Sequence, residues 1–405
     1  MNKKKIINDP VYGFIRIPYE IVFDLLEHPY FQRLRRIKQL GLSSYVYPGA
    51  VHTRFHHAMG AMHLMTQATE VLRSKHIDID PTEAEAVTIA ILLHDIGHGP
   101  FSHALEHSLV SQLSHEDLSV LFMERLNNHF RGRLSLAISI FQADYPKPYL
   151  HELVSSQLDM DRMDYLNRDS FFSGVDEGAI GFERIIKMLD VRDNHIVVEH
   201  KGIYSVEQFL IARRLMYWQV YLHKTVVAAE AMLVKLLQRA KELAKQGQQL
   251  FASPALQLFL TNDFTLADFI AQPNLLDQFA LLDDTDIEVA TKVWQQHPDK
   301  VLSFLAKGLS SRQLLKIEMD TQPIDEQKVE EHRNRIINTM HLTEHEANYL
   351  VFTDSTSNSA YSYKGTQINI AFKNGTTQKI TEASDYLNIA ALAMPVTKYY
   401  MCFPK

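Results

Sequence analysis

Residues 86–103 read AVTIAILLHDIGHGPFSH, an apolar run that ends on a histidine–aspartate pair followed by two glycines, a proline and two further histidines. With Pro81 in its first turn, the preceding segment keeps helical spacing to Leu93. The helix therefore delivers His94 and Asp95 at its C-terminal end, and Gly97 and Gly99 let the chain turn sharply after it. Adjacent side chains share no helix face, but at a helix end they can converge on one ion from two directions. One nitrogen and one oxygen donor suit manganese, iron, magnesium or zinc in an open coordination sphere better than a closed structural zinc site. Two ligands are too few. Further donors stand in HTRFHHAMGAMH (52–63), which holds His57, and in SSQLDMDRMDYLNRD (155–169), which holds Asp159, Asp161, Asp164 and Asp169.

Composition limits what such a site can be. The single cysteine, Cys402, rules out an intrachain disulfide framework and a thiolate cluster, so a metal site must draw on carboxylates and the 20 histidines. The balance of 41 basic against 48 acidic residues, net −7, argues against bulk binding of duplex nucleic acid but leaves room for a local basic pocket. With 46% apolar and 22% charged residues, 405 in all, the chain reads as an ordinary soluble protein of two or three packed units. No apolar stretch has membrane-spanning length and MNKKKIINDP lacks a signal-peptide core, so a cytoplasmic protein with no membrane association is expected.

The expected fold is mainly α: a helical core with a short N-terminal β-hairpin and a smaller α+β C-terminal lobe. Residues 1–245 form the metal-bearing core, 246–345 a helical extension with no clustered chemistry, and 346–405 the lobe. DPVYGFIRIP (9–18) reads as the hairpin. Helices are expected over 19–40, 54–73, 81–93, from Pro100, over 151–169 and 205–245, with a strand in NHIVVEHKG (194–202). In the lobe, YLVFTD and TQINIAFKNGTTQKI alternate like strands, Asn374–Gly375 suits a hairpin turn, and a last helix follows from about Ser384. Arg213, Tyr217 and Tyr221 recur at a spacing of four, so one helix face offers a cation and two phenols.

The order H…HD…D, carried by RFHHAMG, LLHDIGHGPFSH and LDMDRMDYLNRD between INDPVYGFIRIP and QVYLHKTV, resembles the HD-domain phosphohydrolase superfamily over about the first 230 residues. Within it the chain is similar to the deoxynucleoside triphosphate triphosphohydrolases. The resemblance implies that His57, His94, Asp95 and Asp161 ligate a divalent ion, whether manganese, iron, magnesium, zinc or nickel. It implies hydrolysis of a dNTP to deoxynucleoside and intact triphosphate, with His98, His103 and His115 serving the leaving 5′-oxygen. Glu106, an aspartate in a relative, would orient or activate His103. Phosphate contacts are implied for Arg54, Arg162 and Arg213, Arg162 standing where a relative has lysine, and Gln39, Leu40, Tyr165, Asp169, Tyr217 and Tyr221 would enclose the deoxyribose. Relatives bind nucleotide between subunits at positions matching Lys5, Asn8, Glu27, Gln32 and Arg35, which implies activation by GTP or dGTP in a homodimer or homotetramer.

The same residues admit other readings. An HD-type nucleotide phosphatase or phosphodiesterase would use the same ion, and a non-catalytic nucleotide sensor or nucleic-acid-binding scaffold would keep only the binding surfaces. His52, His56, His63, His107 and His129 read as locally satisfied, Asp159 and Asp164 as support for the ligands or helix surface, and the arginines of RLRRIK (33–38), Arg35 apart, as a solvated face.

Overall fold

The computed structural model of the protein describes residues 5–101, 110, 113–359, 361, 367–385 and 394–405. The chain opens on an antiparallel hairpin, β1 (Ile6–Asp9) and β2 (Gly13–Arg16), whose turn is closed by Asp9 Oδ1 accepting the N–H groups of Val11 and Tyr12 at 2.9 Å. Gly13 supplies the left-handed residue, with φ +73°. The helix expected over 19–40 is cut. Helix α1 (Glu20–Glu27) stops at His28, because Pro29 has no N–H to continue it, and the chain proceeds through the short turns Pro29–Gln32 and Arg33–Arg36.

Three helices make the centre. Helix α2 (Arg54–Ser74) packs against both α3 (Pro81–Leu93) and α5 (Met160–Ser173), with α4 (His115–His129) following the metal-site loop. Helix α3 starts where the sequence places it: the Asp80 carboxylate accepts from Thr82 and Glu83 N–H, and Glu83 accepts in return from Asp80 N–H. Almost every later residue of α3 is buried, as a helix apolar all round must be. The helix expected over 151–169 is instead Pro148–Val154 plus α5, because Asp159 caps α5, accepting from Arg162 N–H and Ser156 N–H at 2.7 Å each. The long helix expected over 205–245 is likewise interrupted. Helix α6 (Ile203–Met216) widens into a π turn at Tyr217–Tyr221, and α7 (Lys224–Lys245) begins after His223, whose Nδ1 accepts the Thr225 N–H.

The extension adds further helices, among them α8 (Asp284–Trp294). The remaining strands are β3 (Leu189–Arg192), β4 (His195–Glu199), β5 (Lys316–Asp320), β6 (Phe352–Asn358), β7 (Asn369–Ala371), β8 (Thr377–Lys379) and β9 (Val396–Phe403). They form two sheets, ordered β3-β4-β7-β8 and β5-β9-β6. β7 joins β4 in parallel, Val198 opposite Ile370, so residues of the first half and of the C-terminal region share one sheet. The last helix expected from about Ser384 is not seen in the described residues. A helical turn, Ile380–Ala383, precedes residues 386–393, which lie outside them, and the chain ends on β9, where Val396, Tyr399 and Tyr400 suit a strand. The architecture is mainly α-helical with an N-terminal hairpin and a smaller mixed C-terminal region, as expected. Among the described residues no helix is long and apolar enough to cross a membrane.

Candidate metal centre

His57 lies in the first turns of α2, His94 and Asp95 directly follow α3, and Asp161 is the second residue of α5. Helix packing brings the four together. His57 Nε2 is 3.3 Å from His94 Nε2 and 3.1 Å from Asp161 Oδ1, and His94 Nε2 is 3.4 Å from Asp161 Oδ1. Asp95 adds Oδ1 at 3.3 Å from His94 Nε2 and Oδ2 at 3.7 Å from His57 Nε2. Donors roughly 2.0–2.2 Å from one divalent ion stand about 3–3.5 Å from each other. The observed separations fit that arrangement, and the donor set fits a divalent cation.

Partners behind the ligands aim them. Asp164 Oδ2 lies 2.8 Å from His57 Nδ1, and His94 Nδ1 faces the Ile91 carbonyl at 2.6 Å, so both Nε2 atoms turn toward the same point. Asp164 is itself held by buried Arg168 at 2.9 Å, which also reaches Asp9 of the hairpin turn at 2.7 Å. Gly60 makes this approach possible: a Cβ there would lie 1.9 Å from Asp164 Oδ1 and 2.2 Å from Arg168 Nη2. Sequence reading placed Asp164 among the supports and passed over Asp9 and Arg168, although an Asp–Arg pair at i,i+4 was a signal.

The electrostatics are those of a cation site. Burial works against charge at His57, yet hydrogen bonds to Asp161 and Asp164 raise its imidazole to about 10. Burial also opposes charge at His94, and Asp95 and Asp161 outweigh it. Burial alone would raise Asp161 and Asp95, but the neighbouring histidines, with Arg54 beside Asp95, hold both carboxyls below their usual range.

A second group adjoins the first. Asp95, His98 and His115 also present donors close enough for an ion. Asp95 Oδ1 is 3.4 Å from His98 Nε2, and the His98 and His115 rings stack at 3.9 Å. Burial and then the Arg54 guanidinium hold His98 well below the normal imidazole range, so it is neutral at physiological pH. His103 and Glu106 lie outside the described residues.

Beyond the ligands, Arg54 pairs with Asp95 and Arg162 with Asp159. Arg213 Nε and Nη1, Arg162 Nε and Gln39 Oε1 are buried without a hydrogen-bond partner among the described residues. Tyr221 stands 6.2 Å from Tyr165 and 5.1 Å from Tyr217 between ring centres, and the Arg213 guanidinium lies 5.9 Å from the Tyr217 ring. Asp169 anchors this wall: Tyr221 Oη donates to Oδ2 at 2.7 Å, and His52 Nε2 meets Oδ1 at 2.7 Å. Leu40 packs half-buried against the core. Of the nucleotide-activator positions, Lys5, Asn8, Glu27 and Arg35 are exposed. Gln32 donates to the Leu26 carbonyl and accepts from Arg35, whose guanidinium covers the Phe55 ring at 3.6 Å. One expectation fails in this segment: Arg33 is not on a solvated face but fully buried, because the 3₁₀ turn at Arg33–Arg36 points it inward.

Comparison with known proteins agrees with this site. Residues 54–169 match the HD domain and residues 180–255 the HD associated region. The crystal structure of a phosphohydrolase from Bacteroides thetaiotaomicron superposes with a TM-score of 0.96 at 56% identity, covering 99% of this chain and all of that one. An uncharacterized Bacillus subtilis protein, YwfO, is 34% identical over 322 residues, 78% of this chain and 72% of its own length. The Dictyostelium discoideum SAMHD1 homolog, a deoxynucleoside triphosphate triphosphohydrolase by name, is 33% identical over 266 residues, 61% of this chain and about half (51%) of that protein. The ligand geometry, the two matched regions and the full-length likeness together place the chain in the HD-domain phosphohydrolase family, related to the SAMHD1-like proteins.

Proposed function

We propose that the protein hydrolyses deoxynucleoside triphosphates to deoxynucleoside and triphosphate in a metal-dependent reaction. The observation that carries this reading is half-buried Arg213, two of whose guanidinium nitrogens are buried without a partner among the described residues, and whose charge acts, with that of Asp161, on the Tyr165 phenol. Burial raises the Tyr165 phenol, and Asp161, Arg162, Arg213 and Tyr217 all act on it, which gathers ligand, cations and phenols around one ring. Buried guanidinium nitrogens without a partner are costly unless an anion meets them, and a triphosphate supplies several such oxygens. The name of the Dictyostelium relative directs the choice of substrate among nucleotides.

In this reading His57, His94, Asp95 and Asp161 hold the ion, which when bound polarises the α-phosphate and lowers the pKa of a water. Arg213 and Arg162 bind the polyphosphate oxygens. His115, stacked on His98, would when protonated give its proton to the departing 5′-oxygen as the bond to the α-phosphorus breaks, whereas neutral His98 would orient that group without donating. Tyr165, Tyr217 and Tyr221, the last of them bonded to Asp169, wall the sugar and leave little room for a 2′-hydroxyl. A guanine nucleotide at Lys5, Asn8, Glu27, Gln32 and Arg35, bound between copies of the chain, would activate.

Phosphorus NMR of each dNTP with manganese-loaded protein, with and without dGTP, tests the reading. Stoichiometric triphosphate that Asp161→Asn lowers at least about a thousandfold is expected. Monophosphate or pyrophosphate would instead point to a phosphatase or phosphodiesterase, and no turnover of any nucleotide to a sensor. Rates indifferent to dGTP and to Glu27→Ala would remove the activator.

A further inference from the structure

The helical extension, which carries no cluster of chemical groups in the sequence, reaches back onto the metal-site loop. That loop, residues 94–101, is held by its backbone at three places. Ser119 Oγ on α4 accepts the Gly97 N–H at 2.9 Å and donates to the His94 carbonyl at 2.7 Å. Arg33 Nη2 donates to the Ile96 carbonyl at 2.6 Å. Asp284, first residue of α8, accepts the Phe101 N–H on Oδ1 at 2.7 Å and the Lys38 N–H on Oδ2 at 2.9 Å. A single carboxylate thus ties the end of the metal-site loop to the segment that leads into Gln39 and Leu40.

The neighbouring residues of the extension reinforce this contact. The Leu282 carbonyl accepts from Arg33 Nη1 at 3.4 Å, and Asp283 pairs with Arg36. The Arg33 guanidinium sits 5.3 Å from the centres of the Phe122 and Phe279 rings, so an aromatic slot from α4 and the extension fixes its aim. Three consecutive residues, Leu282 to Asp284, therefore grip residues 33, 36, 38 and 101.

Apolar side chains would close this core at lower desolvation cost, since burying charged groups is unfavourable even when they are paired. What Arg33 and Asp284 add is direction, because each bonds particular backbone atoms: the Ile96 and Leu282 carbonyls for Arg33, the Phe101 and Lys38 N–H groups for Asp284. Phe101 shows the need: it is a non-glycine residue at φ +50°, a conformation that persists where its surroundings impose it. We propose that Asp284 and Arg33 are positioning residues, which fix the path of loop 94–101 and so the placement of Asp95 and His98, and that the extension is part of the catalytic frame. The proposal rests on the metal-site reading above.

Asp284→Asn is the test, since the amide keeps the shape and one acceptor but cannot accept from both N–H groups. Arg33→Lys, which keeps the charge and shortens the reach to Ile96, is the second variant, and Glu288→Gln, which removes only the exposed partner of Lys38, is the control. Amide hydrogen exchange of the 94–101 peptide in metal-free protein should quicken about tenfold in both variants, not in the control, while the α3 peptide stays protected. Manganese affinity should fall about tenfold, with an altered Mn(II) paramagnetic resonance spectrum, and dNTP turnover should lose kcat more than KM. Unchanged loop exchange would overturn the proposal. So would a looser loop with wild-type manganese affinity, spectrum and kcat, which would make both groups purely structural. If wild-type protein bound no manganese or turned over no dNTP, the metal or substrate reading would fall instead, and the exchange comparison would still decide whether the loop is held.

Discussion

The His57 imidazole can face the ion site with Nε2 only while its Nδ1 has a partner on the other side, and Asp164 is that partner. Asp164→Asn should therefore leave the four ligands in place and still lower manganese affinity about 10- to 100-fold. Isothermal titration of the metal-free variant checks this, and wild-type affinity would mean that Asp164 serves only to neutralise Arg168. That His57, His94, Asp95 and Asp161 belong together was legible through the resemblance of their motifs to a known family; the residues alone offered a His–Asp pair at a helix end and several further carboxylates. Their supports were not. Three arginines stand within RLRRIK, and composition alone does not say which one a 3₁₀ turn aims at the core; the geometry selects Arg33.

Helix α7 carries Glu230 toward the segment of Gln39 and Leu40, and a Cβ on Gly41 would lie 3.4 Å from Glu230 Oε1. Burial raises this carboxyl from 4.5 to about 7. The fold thus favours the protonated side chain: its contribution is full below the unfolded value and is lost as pH rises through about 7. Glu230→Gln should be nearly neutral for stability at pH 5 and stabilising by up to about 3 kcal/mol at pH 8. Melting curves of both proteins at the two pH values measure it, and a difference that does not widen with pH would contradict the assignment. At this scale the sequence was informative wherever a cap agreed with the apolar period, as at Asp80 and Glu83 of α3. It misled where one residue overrode a continuous period: Pro29, Asp159 and His223 each break a helix that spacing alone would continue. The run VTKYYMCF was missed as a strand because β9 finds its partners, β5 and β6, far away in the sequence.

The whole molecule is stitched across long sequence distances. β4 pairs with β7, β5 with β9, and Asp284 with Phe101. Calorimetry should accordingly show one cooperative transition, and separate transitions for the helical extension or the C-terminal strands would contradict that integration. Mainly α class, N-terminal hairpin and mixed C-terminal region were legible from pattern alone; the way these parts interlock was not, since pairing between distant strands and a carboxylate reaching another segment's backbone leave no local trace. This interlocking has a meaning for the protein as it is made. The metal ligands up to Asp161 leave the ribosome well before Asp284, which emerges 183 positions after the loop residue it secures. Until then the growing polypeptide contains the donors without their frame. On the proposal made above, a message cut short or a ribosome halted midway yields a product whose ion-site loop lacks the contact that secures residue 101.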